Sequence, residues 1–87
     1  MKVKRKEEIL DCIFFDKEIS KTNNYKDIIY FLNAKRFFEI KDGIRLEINY
    51  SLIDVPNKSY IIKNSDESIS VCNKEMFFNQ FDIVWYY

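Results

Sequence analysis

Ile44, Leu46, Ile48 and Tyr50 alternate with Arg45, Glu47 and Asn49. A period of two puts all four apolar side chains on one face of an extended chain, so the run predicts a half-buried strand. A second apolar run, Phe37 to Ile40, precedes it, and between the two lies Lys41-Asp42-Gly43 with the only glycine in the chain. The pattern predicts a hairpin over Phe37–Tyr50. A two-residue Asp42-Gly43 turn would pair Lys41 with Ile44 and set polar residues against apolar ones. A three-residue loop pairs Ile40 with Ile44 and Phe38 with Leu46, which keeps the faces consistent. That register gives Gly43 the left-handed backbone position that glycine favours. It also sets Glu39 opposite Arg45, a cross-strand ion pair of ~0.2–1 kcal/mol.

The remaining elements follow from the same periodicities. Glu8 to Phe15 predicts a strand with Leu10, Cys12 and Phe14 on one face and Ile13 and Phe15 on the other, a pattern for burial on two sides. Tyr25, Ile28, Ile29 and Leu32 fall at i, i+3, i+4 and i+7, one face of a helix over 24–34. Asn24 is the expected N-cap, Asp27 adds negative charge to the first turn, and the helix should end near Asn33 or Lys35. The last third predicts a strand at Tyr60–Lys63, a turn at Asn64–Glu67 and a strand at Ile69–Cys72. Asn73 should then cap a short helix that turns Met76, Phe77 and Phe81 inward, before a closing strand at Ile83–Tyr87. The expected fold is α+β: one domain over 1–87, with a strongly curved, mostly antiparallel sheet or small barrel of about six strands, one main helix and one short helix.

Composition narrows the chemistry. Histidine is absent, so no Ser-His or Cys-His pair and no imidazole metal ligand exists. Cys12 and Cys72 lie too far apart in sequence for a zinc motif, and one glycine cannot build a phosphate-cradling loop. Glu7, Glu8, Asp11, Asp66, Glu67 and Glu75 read as solvated surface, with no spacing that singles out an acid/base pair. The sequence therefore predicts no enzyme, no cofactor and no metal. Net charge is zero, without the broad basic footprint of a duplex-binding protein. The balance is nevertheless uneven, +3 over residues 1–45 and −3 over 46–87. No apolar run is long enough to span a bilayer, and Glu7, Glu8 and Asp11 interrupt the stretch after the basic start. The expectation is a cytoplasmic protein with reduced thiols and no membrane partner.

Ser59-Tyr60-Ile61-Ile62-Lys63, followed at fixed spacing by Cys72, Phe77 and Phe81, resembles the C-terminal signature of a family of small phage and prophage proteins. Members of that family read Asp-Tyr-Ile-Ile-Lys-Gly, a turn, then Tyr-Pro-Cys-Lys-Pro-Asp-Ile-Phe-Glu-Lys-Thr-Tyr-Glu. Met1-Lys2-Val3-Lys4-Arg5-Lys6 and Phe31-Leu32 resemble its basic start and its helix end. The family's turn glycines correspond to Asn64 and Glu67 here, and its prolines to Val71 and Lys74. The resemblance implies a phage or mobile-element accessory protein in a bacterial host cell, of the kind that blocks host defences, anti-CRISPR proteins included. It carries over no catalytic residues.

Three features suit binding. Lys2, Lys4, Arg5 and Lys6 form a basic edge that could contact phosphates, with Lys35 and Arg36 adding to it; the plainer account is a solvated terminus. Trp85, Tyr86 and Tyr87 end the chain in aromatics, of which alternation along a strand leaves at least one ring outward, and such rings anchor interfaces. Phe37 and Phe38 face opposite sides of their hairpin, which exposes one of them unless a helix covers it. The leading expectation is an inhibitor that binds a host defence protein or an RNA-guided effector complex, with RNA contact included. The alternative is a small nucleic-acid or nucleotide-binding module that stacks bases on an aromatic sheet face.

Overall fold

The computed structural model describes residues 1–5 and 8–85, the last of these by its backbone. Along the described chain run β1 (Lys2–Arg5), β2 (Glu8–Phe15), α1 (Lys17–Lys21), α2 (Lys26–Leu32), β3 (Arg36–Ile40), β4 (Gly43–Ile48), β5 (Ser51–Pro56), β6 (Ser59–Lys63), β7 (Ile69–Cys72), α3 (Lys74–Gln80) and β8 (Asp82–Trp85). The class is α+β, as the periodicities predict. The strands form two sheets, β7-β6-β2-β1-β8 and β3-β4-β5, and neither closes into a barrel among the described residues. The chain divides into two compact units, Met1–Phe14 with Ser59–Tyr87, and Phe15–Lys58.

In the first unit, β1 lies between β2 and β8 and pairs antiparallel with both. The basic start is therefore an inner strand. Val3 explains this: it is fully buried, in one cluster with Leu10, Cys12, Ile62, Phe77 and Phe81. A single apolar residue among lysines gives no visible period, so the strand is hidden in the sequence. β2 has the expected bounds, with Leu10 and Cys12 buried and Phe14 half exposed. Asn73 caps α3 as expected, its side chain accepting from the Met76 backbone N–H at 2.9 Å. Phe77 and Phe81, one turn apart, both turn inward, whereas Met76 is exposed. The expectation that Met76 faces the core fails because it sits about 100° around the helix from Phe77, beyond the one face that α3 buries.

The second unit carries the hairpin, with a register that differs from the expected one. Ile40 pairs with Gly43, Phe38 with Arg45 and Phe37 with Leu46, around a two-residue turn at Lys41-Asp42. Gly43 has no positive φ. It lies inside β4, where a Cβ would stand 2.2 Å from the carbonyl oxygen of Val55 on β5. Close approach of two backbones, and no left-handed turn, is what requires glycine here. The slip turns Phe37 inward, with its ring 5.2 Å from that of Tyr25, and leaves Phe38 outward. It also replaces the expected Glu39–Arg45 pair by Arg36–Glu47 and Arg45–Asp54. A doublet of phenylalanines cannot say which member faces the core; the packing on Tyr25 decides it. The next turn, Asn49-Tyr50, is left-handed at both residues (φ 50° and 66°), the twist that a two-residue hairpin between β4 and β5 favours.

The expected helix over 24–34 is the shorter α2, and a second helix that the periodicities did not predict, α1, precedes it. Asp16 caps α1 by accepting from the Glu18 backbone N–H at 3.0 Å. α2 begins only at Lys26, because Asn24 and Tyr25 both have left-handed backbones (φ 58° and 62°), so Asn24 is not its cap. The turn buries Tyr25 together with Ile28 and Leu32, which keeps the apolar face that the spacing predicts. Asp27 accepts from the buried Ser20 hydroxyl at 2.5 Å and so ties α2 to α1. Asn33, left-handed, ends α2 where expected.

Gly43→Ala should lower stability by about 1–3 kcal/mol, the usual cost of forcing extra atoms into a packed site. Gly43→Asn should be no better, although asparagine tolerates left-handed backbone. Urea unfolding of both variants checks this: an asparagine variant close to wild type would restore the left-handed assignment.

Candidate interaction surface

The first unit builds a chain of aromatic rings. Tyr60 on β6 stacks on Phe77 of α3, with centroids 3.8 Å apart and planes 8° from parallel. Phe78 meets both edge-on, at 5.8 Å from Tyr60 and 5.1 Å from Phe77. Phe14, at the end of β2, lies 4.8 Å from Tyr60. Phe81 continues the stack 5.4 Å below Phe77, and the Arg5 guanidinium lies 5.4 Å from the centre of the Phe81 ring. Offset and edge-on rings at these distances attract beyond their buried area. The inner members are buried, while Phe14 is 39% exposed, Phe78 48% and Met76 49%. The result is an aromatic ridge of Phe14, Tyr60 and Phe78 packed on Phe77, while Met76 is exposed on the other flank of α3.

The ridge is made of residues that sequence reasoning assigned to the core or passed over. Its signal was the Phe77-Phe78 doublet after Met76. A helix as short as α3 buries one face, so three consecutive large apolar residues cannot all turn inward.

The sequence-predicted basic residues are largely engaged. Lys2 pairs with Asp11 across the β1–β2 ladder. Arg5 lies 3.9 Å from the Glu8 carboxylate and donates to Asn64 Oδ1 at 3.3 Å. Lys4 is exposed, opposite Ile9 on one side and Asp82 on the other. Lys6, Tyr86 and Tyr87 lie outside the described residues; Trp85 is opposite Lys2 in the β1–β8 ladder, with its side chain outside the description. Lys35 and Arg36 belong to the second unit, not to the unit that carries β1. The Lys35 ammonium lies 5.1 Å from the centre of the exposed Tyr50 ring. Arg36 donates twice to Glu47 Oε1, at 3.0 and 2.5 Å, with its guanidinium 5.6 Å from the Phe38 ring centre. Arg45 grips Asp54 through two bonds, at 2.6 and 3.0 Å. That bidentate pair raises the Arg45 pKa and lowers that of Asp54.

Both cysteines are free. Burial pushes the Cys12 thiol up to about 12 and also raises that of Cys72. A thiol held protonated is a poor nucleophile and a poor metal ligand. In the second unit the Tyr25 hydroxyl is buried without a hydrogen-bond partner among the described residues, and burial together with the Glu39 carboxylate raises its pKa. No group of three or more Cys, Asp or Glu among the described residues is arranged to hold a metal ion. No helix among them is long and apolar enough to cross a membrane. The chain matches no protein-family model, and comparison with curated proteins and with solved structures finds no similar one.

The raised Cys12 thiol sets a pH dependence. Below the ordinary thiol value of 9.0 both folded and unfolded chains keep the proton. Above it the unfolded chain ionises, while the folded one resists until about 12. This share of stability is therefore lost as pH rises across that window, at up to about 1.4 kcal/mol per pH unit. Cys12→Ala, though less stable at neutral pH, should show a shallower loss in alkaline thermal melts. An unchanged slope would refute the assignment.

Proposed function

We propose that this protein acts by stoichiometric binding to a surface of a larger host defence protein, such as an RNA-guided effector, and performs no reaction. The observation that carries the reading is the aromatic ridge of Phe14, Tyr60 and Phe78. Exposed aromatic side chains packed on a buried base are the usual anchors of protein interfaces. The lysines and arginines that would otherwise mark a phosphate-binding face sit beside carboxylates: Lys2 with Asp11, Arg5 with Glu8, Arg36 with Glu47 and Arg45 with Asp54. That arrangement favours a protein partner over free nucleic acid. The likeness of Ser59 to Asp82 to the phage-family signature supports the defence context and a site of action in the host cytoplasm. Lys4 and Arg5, at the end of the inner strand β1, suit the rim of such an interface.

A second reading draws on the second unit, where Lys35 over Tyr50 and Arg36 beside Phe38 pair cations with exposed rings. Such pairs can stack unpaired bases, which is the nucleic-acid-binding alternative.

The test is a titration against a set of RNA-guided nucleases, with naked RNA and DNA in parallel. Inhibition should saturate near equimolar protein. Phe78→Ala should keep the fold by circular dichroism and weaken binding about 30-fold or more, the loss of one interface anchor of about 2 kcal/mol. Multiple-turnover inactivation of a nuclease would overturn the binding mechanism. Tight binding to free nucleic acid, abolished by Tyr50→Ala and absent for every effector, would establish the second reading.

A further inference from the structure

The turn between β4 and β5 presents a ring that the core does not use. Ile48 and Ser51 close the hairpin around Asn49-Tyr50, and both turn residues are left-handed, with φ 50° and 66°. Asparagine suits the first of these positions. The second is the one that glycine favours, and for a bulky side chain it is a conformational outlier. Tyr25 is also left-handed, but its ring is buried and packing offsets the cost. Tyr50 is 89% exposed, so packing offsets little. A costly conformation held without burial points to a use for the side chain.

We infer that Tyr50 and Lys35 form a stacking site for an unpaired nucleotide, with the base on the free face of the ring and the phosphate at the ammonium. The site rests on the nucleic-acid reading of the second unit and assigns its contact residues. Arg36 pairs with Glu47 at the start of the β3–β4 ladder, and the Lys35 backbone N–H donates to the Glu47 carbonyl at 2.9 Å. Lys35 is thus anchored beside the end of β4, next to the turn, and its ammonium lies 5.1 Å from the centre of the Tyr50 ring. One face of the ring carries the cation, and the exposure of Tyr50 leaves the other open. Among the described residues the ion pairs engage Lys2, Arg5, Arg36 and Arg45 but not Lys35, so its charge is available to a phosphate. An open π-face for the base, with a positive charge beside it for the backbone, supplies both parts of a single-strand site. A duplex keeps its base faces stacked inside and offers none to such a ring.

The other cation–ring pair of this unit is not equivalent. The Arg36 guanidinium lies 5.6 Å from the Phe38 ring centre but donates twice to Glu47 Oε1, so a phosphate would have to displace a carboxylate there. Lys58 and Glu67 are also exposed and left-handed, but neither carries a ring.

Fluorescence anisotropy of a labelled single-stranded oligouridylate of about eight nucleotides, titrated with the full chain, reads the site. Binding should weaken with salt, and a duplex of the same length should bind less tightly. Tyr50→Gly should melt no lower than wild type, since glycine suits the turn, yet bind the oligonucleotide about 10-fold more weakly, the loss of one stacked base. Tyr50→Phe should bind as wild type does. Lys35→Gln should reduce the slope of log affinity against log salt by about 0.7, the share of one phosphate contact on a single strand. Phe78→Ala, on the ridge of the first unit, should leave oligonucleotide binding unchanged. Single-strand binding that Tyr50→Gly leaves intact would overturn this site while keeping the nucleic-acid reading. No single-strand binding by wild type would overturn both, and weaker effector binding by Tyr50→Gly would then assign the ring to a protein interface. A Tyr50→Gly chain that melts lower than wild type would show that the ring serves the fold, which removes the ground for the inference.

Discussion

The stack of Tyr60 on Phe77 holds the first unit together. One ring comes from a strand and the other from a helix in the same chain segment, and they meet almost parallel at 3.8 Å. The strand ladders of that unit meet its one well-packed helix at this contact. It seats α3 on the sheet, which puts Phe81 into the cluster with Val3, Leu10 and Cys12. It draws β8 back alongside β1, because α3 ends where β8 begins. It also sets the orientation of Phe78, whose ring meets both members of the stack edge-on. A chain this short cannot bury every large apolar side chain it carries. The packing around the stack leaves Phe14 and Phe78 partly outside.

The second unit solves a different problem, that of bringing three strands and two helices together with one glycine. That residue stands where β4 and β5 approach too closely for a Cβ. The tight reversals fall to residues that accept left-handed backbone less readily: Asn24, Tyr25, Asn33, Asn49, Tyr50 and Lys58. For tyrosine such a conformation is uncommon and costs energy. At Tyr25 burial of the ring offsets that cost. At Tyr50 the ring is exposed, and the Lys35 ammonium lies over it.

Charge follows the same economy. A basic N-terminal segment looks like a phosphate-binding arm in the sequence, yet its Val3 draws it into the middle of a sheet and its Lys2 and Arg5 come to rest beside carboxylates. That is the physical reason for preferring a protein partner, and it could not be read from net charge.

Local pattern sufficed for the α+β class, for β2 to its exact bounds, for the Tyr25–Ile28–Leu32 face, for the end of α2 at Asn33 and for the cap at Asn73. In each case the determinant is short-range: a period of two or of about 3.6, or a side chain that bonds the backbone three residues on. The sequence alone also excluded every chemistry that needs imidazole. Tertiary structure decided the rest. It made β1 an inner strand through one buried valine. It slipped the β3–β4 register by one residue so that Phe37 could meet Tyr25. It turned Met76 and Phe78 outward because α3 has one covered face. Whether a Phe in a Phe-Phe doublet faces in or out, and whether a glycine is needed for its φ or for its missing Cβ, depends on a neighbour distant in the chain. No local period encodes that neighbour.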